Sequence, residues 1–302
     1  MAFVVAVWSI NYTVAKIGFR YVPPLALASF RVFVAGVVML PVATWLAVAE
    51  RRQTAAGKAT HLKRLSRGDL WNFACLGFFG IFVNQGVFTV GLSMTSVGHS
   101  AIVVATTPIF ILLAAWLHGL EGLTRRKVLG LVVAFAGALV LGAGRDWNWR
   151  STGSQGDMLT FIACLSVVVF TVLGKRMAKS YDALQLMAYN VTFAGLFALP
   201  LAVWQTRVLI RAGEWHAIGW QGWGAVAYMG VLSSAVCISL YFWVLRWLPP
   251  SKIGALSYLQ PVFGAPFAAM VLGEPLTRDL VSGGILILAG VYAIESDTSE
   301  RE

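Results

Sequence analysis

The chain has 302 residues, long enough by itself for two soluble domains. Composition excludes that: 58% of residues are hydrophobic and 12% charged, where soluble domains carry about 25% charge, and the mean hydropathy is +0.75. The formal net charge of +10 would suit nucleic acid, but the basic residues gather in loops between apolar runs and no nucleic-acid motif accompanies them, so the expected partner is the lipid bilayer.

The apolar runs are continuous and near the length of a membrane-spanning helix, which excludes the short alternating strands of a barrel. Ten are predicted. In the first half they are Phe3–Phe19, Leu27–Val48, Leu70–Met94, Ala101–Leu120 and Val128–Gly144. The second half supplies Met158–Gly174, Ala183–Trp204, Trp223–Trp247, Ile253–Leu272 and Leu280–Ile294. Met1-Ala2-Phe3-Val4 has no basic n-region, so it reads as the first span rather than a removed signal peptide, with a short leader expected upstream. Cys75, Cys164 and Cys237 each lie alone in an apolar run and form no disulfide framework or metal site; no cofactor is expected.

The two halves repeat. Lys16 on Lys175, a shift of 159 positions, also places Val32 on Val191, Ala35-Gly36 on Ala194-Gly195 and Leu40-Pro41 on Leu199-Pro200. Pro108 on Pro261, a shift of 153, places Gly77 on Gly230, Leu92 on Leu245, Gly130 on Gly283 and Ala136-Gly137 on Ala289-Gly290. Glu121-Gly122-Leu123-Thr124-Arg125 meets Glu274-Pro275-Leu276-Thr277-Arg278. Residues 1–145 are therefore expected to form one five-helix repeat and 146–302 a second. An odd helix number per repeat makes the second copy enter the membrane upside down. Lys and Arg are densest in the loop from Glu50 to Asp69, in the loop from His118 to Lys127, after the sixth run and after the eighth. The fold class predicted is an all-α integral membrane protein of ten transmembrane helices, two inverted five-helix repeats, with both termini in the cytoplasm.

Several motifs carry a resemblance. They are Trp8-Ser9-Ile10-Asn11 with Ala15-Lys16, Ala105-Thr106-Thr107-Pro108, Leu259-Gln260-Pro261, Gly273-Glu274-Pro275-Leu276-Thr277, and Gly283 with Gly290. In this order and duplicated spacing the chain resembles, over nearly its whole length, the drug/metabolite transporter superfamily and its ten-helix EamA type. The aromatic-rich helices look most like the YddG-like bacterial amino-acid exporter branch. His118-Gly119-Leu120-Glu121-Gly122 departs from the Leu-Gly-Glu-Pro form found at Leu272–Pro275. The resemblance implies a multi-pass carrier of the bacterial inner membrane. Its central cavity would be lined by the first, third, fourth, sixth, eighth and ninth helices, with the fifth and tenth as outer scaffold. The expected function is export of a small-molecule metabolite, an amino acid (aromatic ones included), by alternating access. The alternatives are a broad drug, metabolite or nucleobase carrier, or a facilitative channel.

The residues themselves point to the same helices. Trp8, Asn11 and Tyr12 share one helix face; Asn84 and Phe88 are four apart, as are Gln85 and Thr89. The eighth run holds Ser233, Ser234, Cys237, Tyr241 and Trp243, and the ninth Ser257, Tyr258 and Gln260. Amide and hydroxyl groups deep in a bilayer face protein or water, so Asn11, Asn84, Gln85 and Gln260 with Trp8, Tyr12, Phe88, Tyr241 and Tyr258 are the candidate substrate contacts; helix–helix glue and plain packing are the competing roles. Pro108 and Pro261, at matched places, each deprive the carbonyl four residues back, on Val104 and Ser257, of its partner and are candidate gating points. Glu121 and Glu274 are expected to cap loops or pair with Arg125 and Arg278. Lys16, Arg20 and Arg31 are read as snorkelling to the interface, the alternative being attraction of a substrate carboxylate; a proton-sensing role for His99 is the weaker option at that position. All thirteen acidic residues fall in loops or at span ends, which disfavours carboxylate proton coupling. No phosphate loop, paired carboxylates, His-x-x-x-His or Gly-x-Ser-x-Gly is present, so neither a primary pump nor an enzyme is expected.

Overall fold

A computed structural model describes residues 1–55, 66–95, 100, 103–142, 153–272 and 278–296. Every regular element among the described residues is helical: α1 Ala2–Gly18, α2 Pro24–Ala55, α3 Arg67–Met94, α4 Val103–Leu117, α5 Arg125–Gly142, α6 Gly153–Ala178, α7 Ala183–Arg211, α8 Trp215–Leu245, α9 Pro250–Leu256, α10 Leu259–Leu272 and α11 Arg278–Glu295. Five stretches are long and apolar enough to cross a membrane: Pro24–Gln53, Arg67–Met94, Gly153–Ala178, Ala183–Arg211 and Trp215–Leu245. Ala2–Gly18, Val103–Leu117 and Val281–Ile294 are apolar but shorter. Local chemistry sets several starts. Ser66 and Asp69 form a reciprocal capping box at the head of α3, and Asp182 accepts from Leu184 N at the head of α7.

Two departures from regular α-helix recur at matched places. A π-helical turn occupies Phe78–Val83 in α3 and Tyr228–Val236 in α8. A break precedes each of Pro108 and Pro261. Thr106 interrupts α4, and Ser257-Tyr258 separates α9 from α10, so the ninth predicted span is two helices. Bonds from residue i to i−3 bridge these breaks, among them Thr106 N to Val103 O, Ile109 N to Thr106 O, and Gln260 N to Ser257 O. The expectation of a proline kinking a continuous helix is therefore corrected. Pro108 falls in the first turn of the helix after the break, where a missing N–H costs little.

Packing follows the repeat. α2 crosses α7, and α5 crosses α11; α1 packs on α8 and α10, while α6 packs on α3 and α4. Exchanging the halves maps each of these pairings onto another or onto itself. The α2–α7 crossing brings Gly36 onto Gly195, whose place in the second half is the same, so closely that a Cβ on either would stand 2.5 Å from the other's Cα. At the α5–α11 crossing, a Cβ on Gly130 would meet Gly290 O at 2.8 Å and one on Gly137 would meet Gly283 O at 2.7 Å, again a pair of contacts that exchange into each other. The outward faces of α5 and α11 carry exposed Leu129, Val132, Ile285 and Tyr292, and Trp71, Trp220 and Trp247 stand exposed near helix ends. An apolar periphery with tryptophan near the ends is the surface of a protein dissolved in lipid. The chain is a multi-pass membrane protein.

Lys16 and Lys175 are the most explicit matched pair. Lys16 Nζ donates to Leu92 O at 2.9 Å and Thr95 O at 3.2 Å, closing the end of α3. Lys175 Nζ donates to Leu245 O and Leu248 O, both at 2.7 Å, closing the end of α8. Each ammonium satisfies carbonyls that a helix end leaves unpaired. Lys16 thus binds a neighbouring helix end instead of snorkelling.

Candidate functional site

The breaks and π-helical turns converge on one cavity of about 140 Å³ at the junction of the two halves. α1 contributes Trp8, Asn11 and Tyr12 to its wall, as one helix face. α3 contributes Gly80, Asn84, Gln85 and Phe88; α4 contributes Val104, Thr107 and Ile111. From the second half come Ala163, Cys164, Val167 and Phe170 of α6, Ser233, Ile238 and Tyr241 of α8, Ser257, and Gln260 of α10. Arg31 of α2 completes the wall.

Eight of the nine residues expected to contact substrate therefore stand together: Trp8, Asn11, Tyr12, Asn84, Gln85, Phe88, Tyr241 and Gln260. Tyr258 does not line the cavity. It is 1% exposed and packs with Ala105, Leu112 and Ala134 in an apolar cluster beside α5 and α11. Tyr258 is two residues from Gln260, a spacing that puts the two side chains on opposite sides of the helix, so with Gln260 on the cavity wall Tyr258 faces away from it. Trp243 is exposed on the outer surface, and Cys237 is buried against Val4 and Val7. Glu274 and His99 lie outside the described residues.

Several wall residues are held in place by hydrogen bonds and ring contacts. Trp8 Nε1 donates to Ser233 O at 3.0 Å, tying α1 to α8. Asn84 Nδ2 donates to Ala163 O at 2.8 Å, tying α3 to α6. Tyr241 Oη and Thr171 Oγ1 are 2.6 Å apart. Tyr12 meets Phe88 edge-on with ring centroids 5.6 Å apart, and Tyr241 lies 5.9 Å from Trp8 and 5.8 Å from Phe170. Two wall atoms, Asn11 Oδ1 and Arg31 Nε, are buried without a hydrogen-bond partner among the described residues.

The largest correction concerns Arg31. It does not snorkel to an interface; it is 3% exposed on the cavity wall, with Nη1 3.2 Å from Thr89 Oγ1 and Nη2 3.4 and 3.3 Å from Ser233 and Ser234 Oγ. Its helix reads as an apolar run carrying one charge, and its depth is set only by the packing of α3 and α8 against it. Glu121 makes a structural salt bridge as expected, but with a different partner. Its carboxylate meets buried Lys127 Nζ at 3.2 Å and accepts from Ser251 N at 3.0 Å and Ser251 Oγ at 2.7 Å, fastening the α4–α5 loop to the start of α9. Lys127 lies one turn into α5 and reaches back toward the loop, so it meets the carboxylate in place of Arg125.

A further regularity ties the wall to the repeat. Seven pairs of lining residues are repeat-mates: Trp8 with Val167, Asn11 with Phe170, Gly80 with Ser233, Gln85 with Ile238, Phe88 with Tyr241, Val104 with Ser257, and Thr107 with Gln260. The skeleton is two-fold and the chemistry is not.

Comparisons with known proteins agree with this architecture. The EamA-like transporter family matches residues 1–143 and again residues 154–296. An uncharacterized transporter of Archaeoglobus fulgidus is 24% identical over 97% of this chain and 96% of its own length. The uncharacterized transporter YvbV of Bacillus subtilis is 23% identical over 100% of this chain and 92% of its own. The uncharacterized inner membrane transporter YedA of Escherichia coli is 25% identical over 94% and 86%. One solved crystal structure shares the fold with a TM-score of 0.68 at 19% identity, covering 96% of this chain and 93% of that one. With both halves matched and a cavity between them, the chain belongs to the EamA-like transporter family and is a membrane transporter of small molecules.

Proposed function

We propose that the protein is a secondary transporter of the bacterial inner membrane that exports small metabolites, chiefly amino acids, aromatic ones included, by alternating access. The carrying observation is the cavity wall built from seven repeat-matched pairs. Two halves of opposite sense, 1–145 and 146–302, spanning ten times with both termini in the cytoplasm, would let one pocket open first to one compartment and then to the other. The matched crossings of α2 on α7 and α5 on α11 support that reading, as do the Lys- and Arg-rich loops. Trp8, Tyr12, Phe88 and Tyr241 offer flat apolar surface, and Asn11, Asn84, Gln85 and Gln260 offer hydrogen bonds, which is the composition of a small-molecule pocket. The breaks before Pro108 and Pro261 are the flexing points.

The test is counterflow. Purified protein in liposomes preloaded with unlabelled L-phenylalanine should accumulate labelled L-phenylalanine transiently, saturably and in competition with other substrates. Flux rising linearly with concentration, or absent for every amino acid while other solutes exchange, refutes the amino-acid reading. Thiol labelling that puts residues 1 and 302 on opposite sides refutes the topology.

A further inference from the structure

Arg31 is the one charged side chain on the cavity wall among the described residues. A guanidinium carries a full positive charge and five N–H donors in a fixed fork. Three neutral hydroxyls face it, at 3.2 to 3.4 Å, and its buried Nε has no partner among the described residues. No carboxylate pairs with it among the described residues. A guanidinium has no acceptor, so all three hydroxyls can only accept from it, and the protons of two of them, Thr89 and Ser234, are committed elsewhere. Thr89 Oγ1 donates to Gln85 O at 2.6 Å, and Ser234 Oγ lies 2.6 Å from both Gln85 Oε1 and Met229 O, so its single proton serves one of them at a time. The three oxygens orient the guanidinium without neutralising it, and an unneutralised buried charge is costly. The group that would offset this cost is an anion inside the cavity.

We infer, taking the cavity as the transport site proposed above, that the substrate carries an oxyanion, a carboxylate in the simplest case, which docks on the guanidinium of Arg31. The body of the molecule then lies against Trp8, Phe88 and Tyr241. Asn11 Oδ1, a buried acceptor without a donor, takes an N–H of the same molecule, so a zwitterion is accommodated. Neutral nucleobases and amine drugs without an acidic group leave Arg31 unpaired and are rejected.

Four ligands of similar size separate the charges: L-phenylalanine, 3-phenylpropionate, 3-phenylpropionamide and phenethylamine, titrated against the purified full-length protein by tryptophan fluorescence and thermal shift. L-Phenylalanine and 3-phenylpropionate should bind, each at least about 30-fold more tightly than phenethylamine or the amide. Arg31→Gln should remove that preference, and Arg31→Lys should keep part of it. If Arg31→Gln does not fold, the wild-type ranking decides alone. Equal binding of amide and carboxylate to the wild type overturns the inference, as does failure of both acids to bind. Saturable counterflow of a neutral or cationic solute would in either case leave the transporter reading standing.

Discussion

The Gly36–Gly195 contact makes a quantitative test of how the halves are joined. Gly36→Ala adds a Cβ that would lie 2.5 Å from Gly195 Cα, 3.1 Å from Gly195 N and 3.3 Å from Val191 O. Non-bonded carbons prefer about 3.5–4.0 Å. The obstacle is backbone, which cannot swing aside, so α2 and α7 must part by about 1 Å along a crossing that is otherwise close-packed. Overpacking of this kind costs about 1–3 kcal/mol, and an obstructing backbone puts the cost at the upper end, about 3 kcal/mol. At roughly 2 °C per kcal/mol for a chain of this size, the melting temperature should fall by about 6 °C. The assay is intrinsic fluorescence from the 12 tryptophans during heating at a fixed scan rate. Gly195→Ala strikes the same contact from the other side and should cost the same; the double variant should cost less than the two together. Gly86→Ala is the control, because a Cβ there meets nothing within 4 Å, and removing a helical glycine should be neutral or stabilising by up to about 1 kcal/mol. Melting of Gly36→Ala within about 1 °C of wild type would show that the halves are not locked at this crossing.

Three other variants probe separate features. Glu121→Gln removes the charge that buried Lys127 faces and weakens the hold on Ser251, so it should destabilise by about 3–5 kcal/mol in thermal unfolding, with partial recovery in Glu121→Gln/Lys127→Met. Lys175→Met gives up two charge-assisted bonds to Leu245 O and Leu248 O, and should lower stability by about 1.5–3 kcal/mol, as should Lys16→Met at the matched helix end; amide hydrogen exchange should rise locally around residues 245–248 and 92–95 respectively. Gly80→Ala would drive a Cβ into the Phe170 ring, forcing that ring to move within the cavity; counterflow should fall about tenfold or more, and unchanged counterflow would show that the ring's position does not matter.

The helical periodicity of α1 made Trp8, Asn11 and Tyr12 legible as one face, because an uninterrupted helix obeys its period. The same rule separates Tyr258 from Gln260, two residues apart; grouping them by residue type alone is what put Tyr258 among the substrate contacts. Phe170, Val167, Ile238 and Thr107 were missed for a different reason: three of them look like ordinary apolar filling. Carrying Asn11 forward by 159 positions, and Gln85 by 153, would have named Phe170 and Ile238, so the repeat held information that residue chemistry did not. Arg31 was legible as a charge in an apolar run, but its depth was not. Depth is set by the approach of α3 and α8, through Thr89, Ser233 and Ser234, and that approach is tertiary.

Arg31 and Asn190 occupy matched places 159 positions apart, yet one is a cation in a cradle of hydroxyls and the other an amide whose Oδ1 and Nδ2 are both unpaired among the described residues. Rocking one half against the other therefore does not regenerate the same molecule turned over. In the alternating-access cycle proposed above, the inward- and outward-facing forms would therefore differ in energy, and half-saturation from the two compartments would be unequal. Without an energy source that inequality cannot pump: whatever one face gains in half-saturation it returns in turnover.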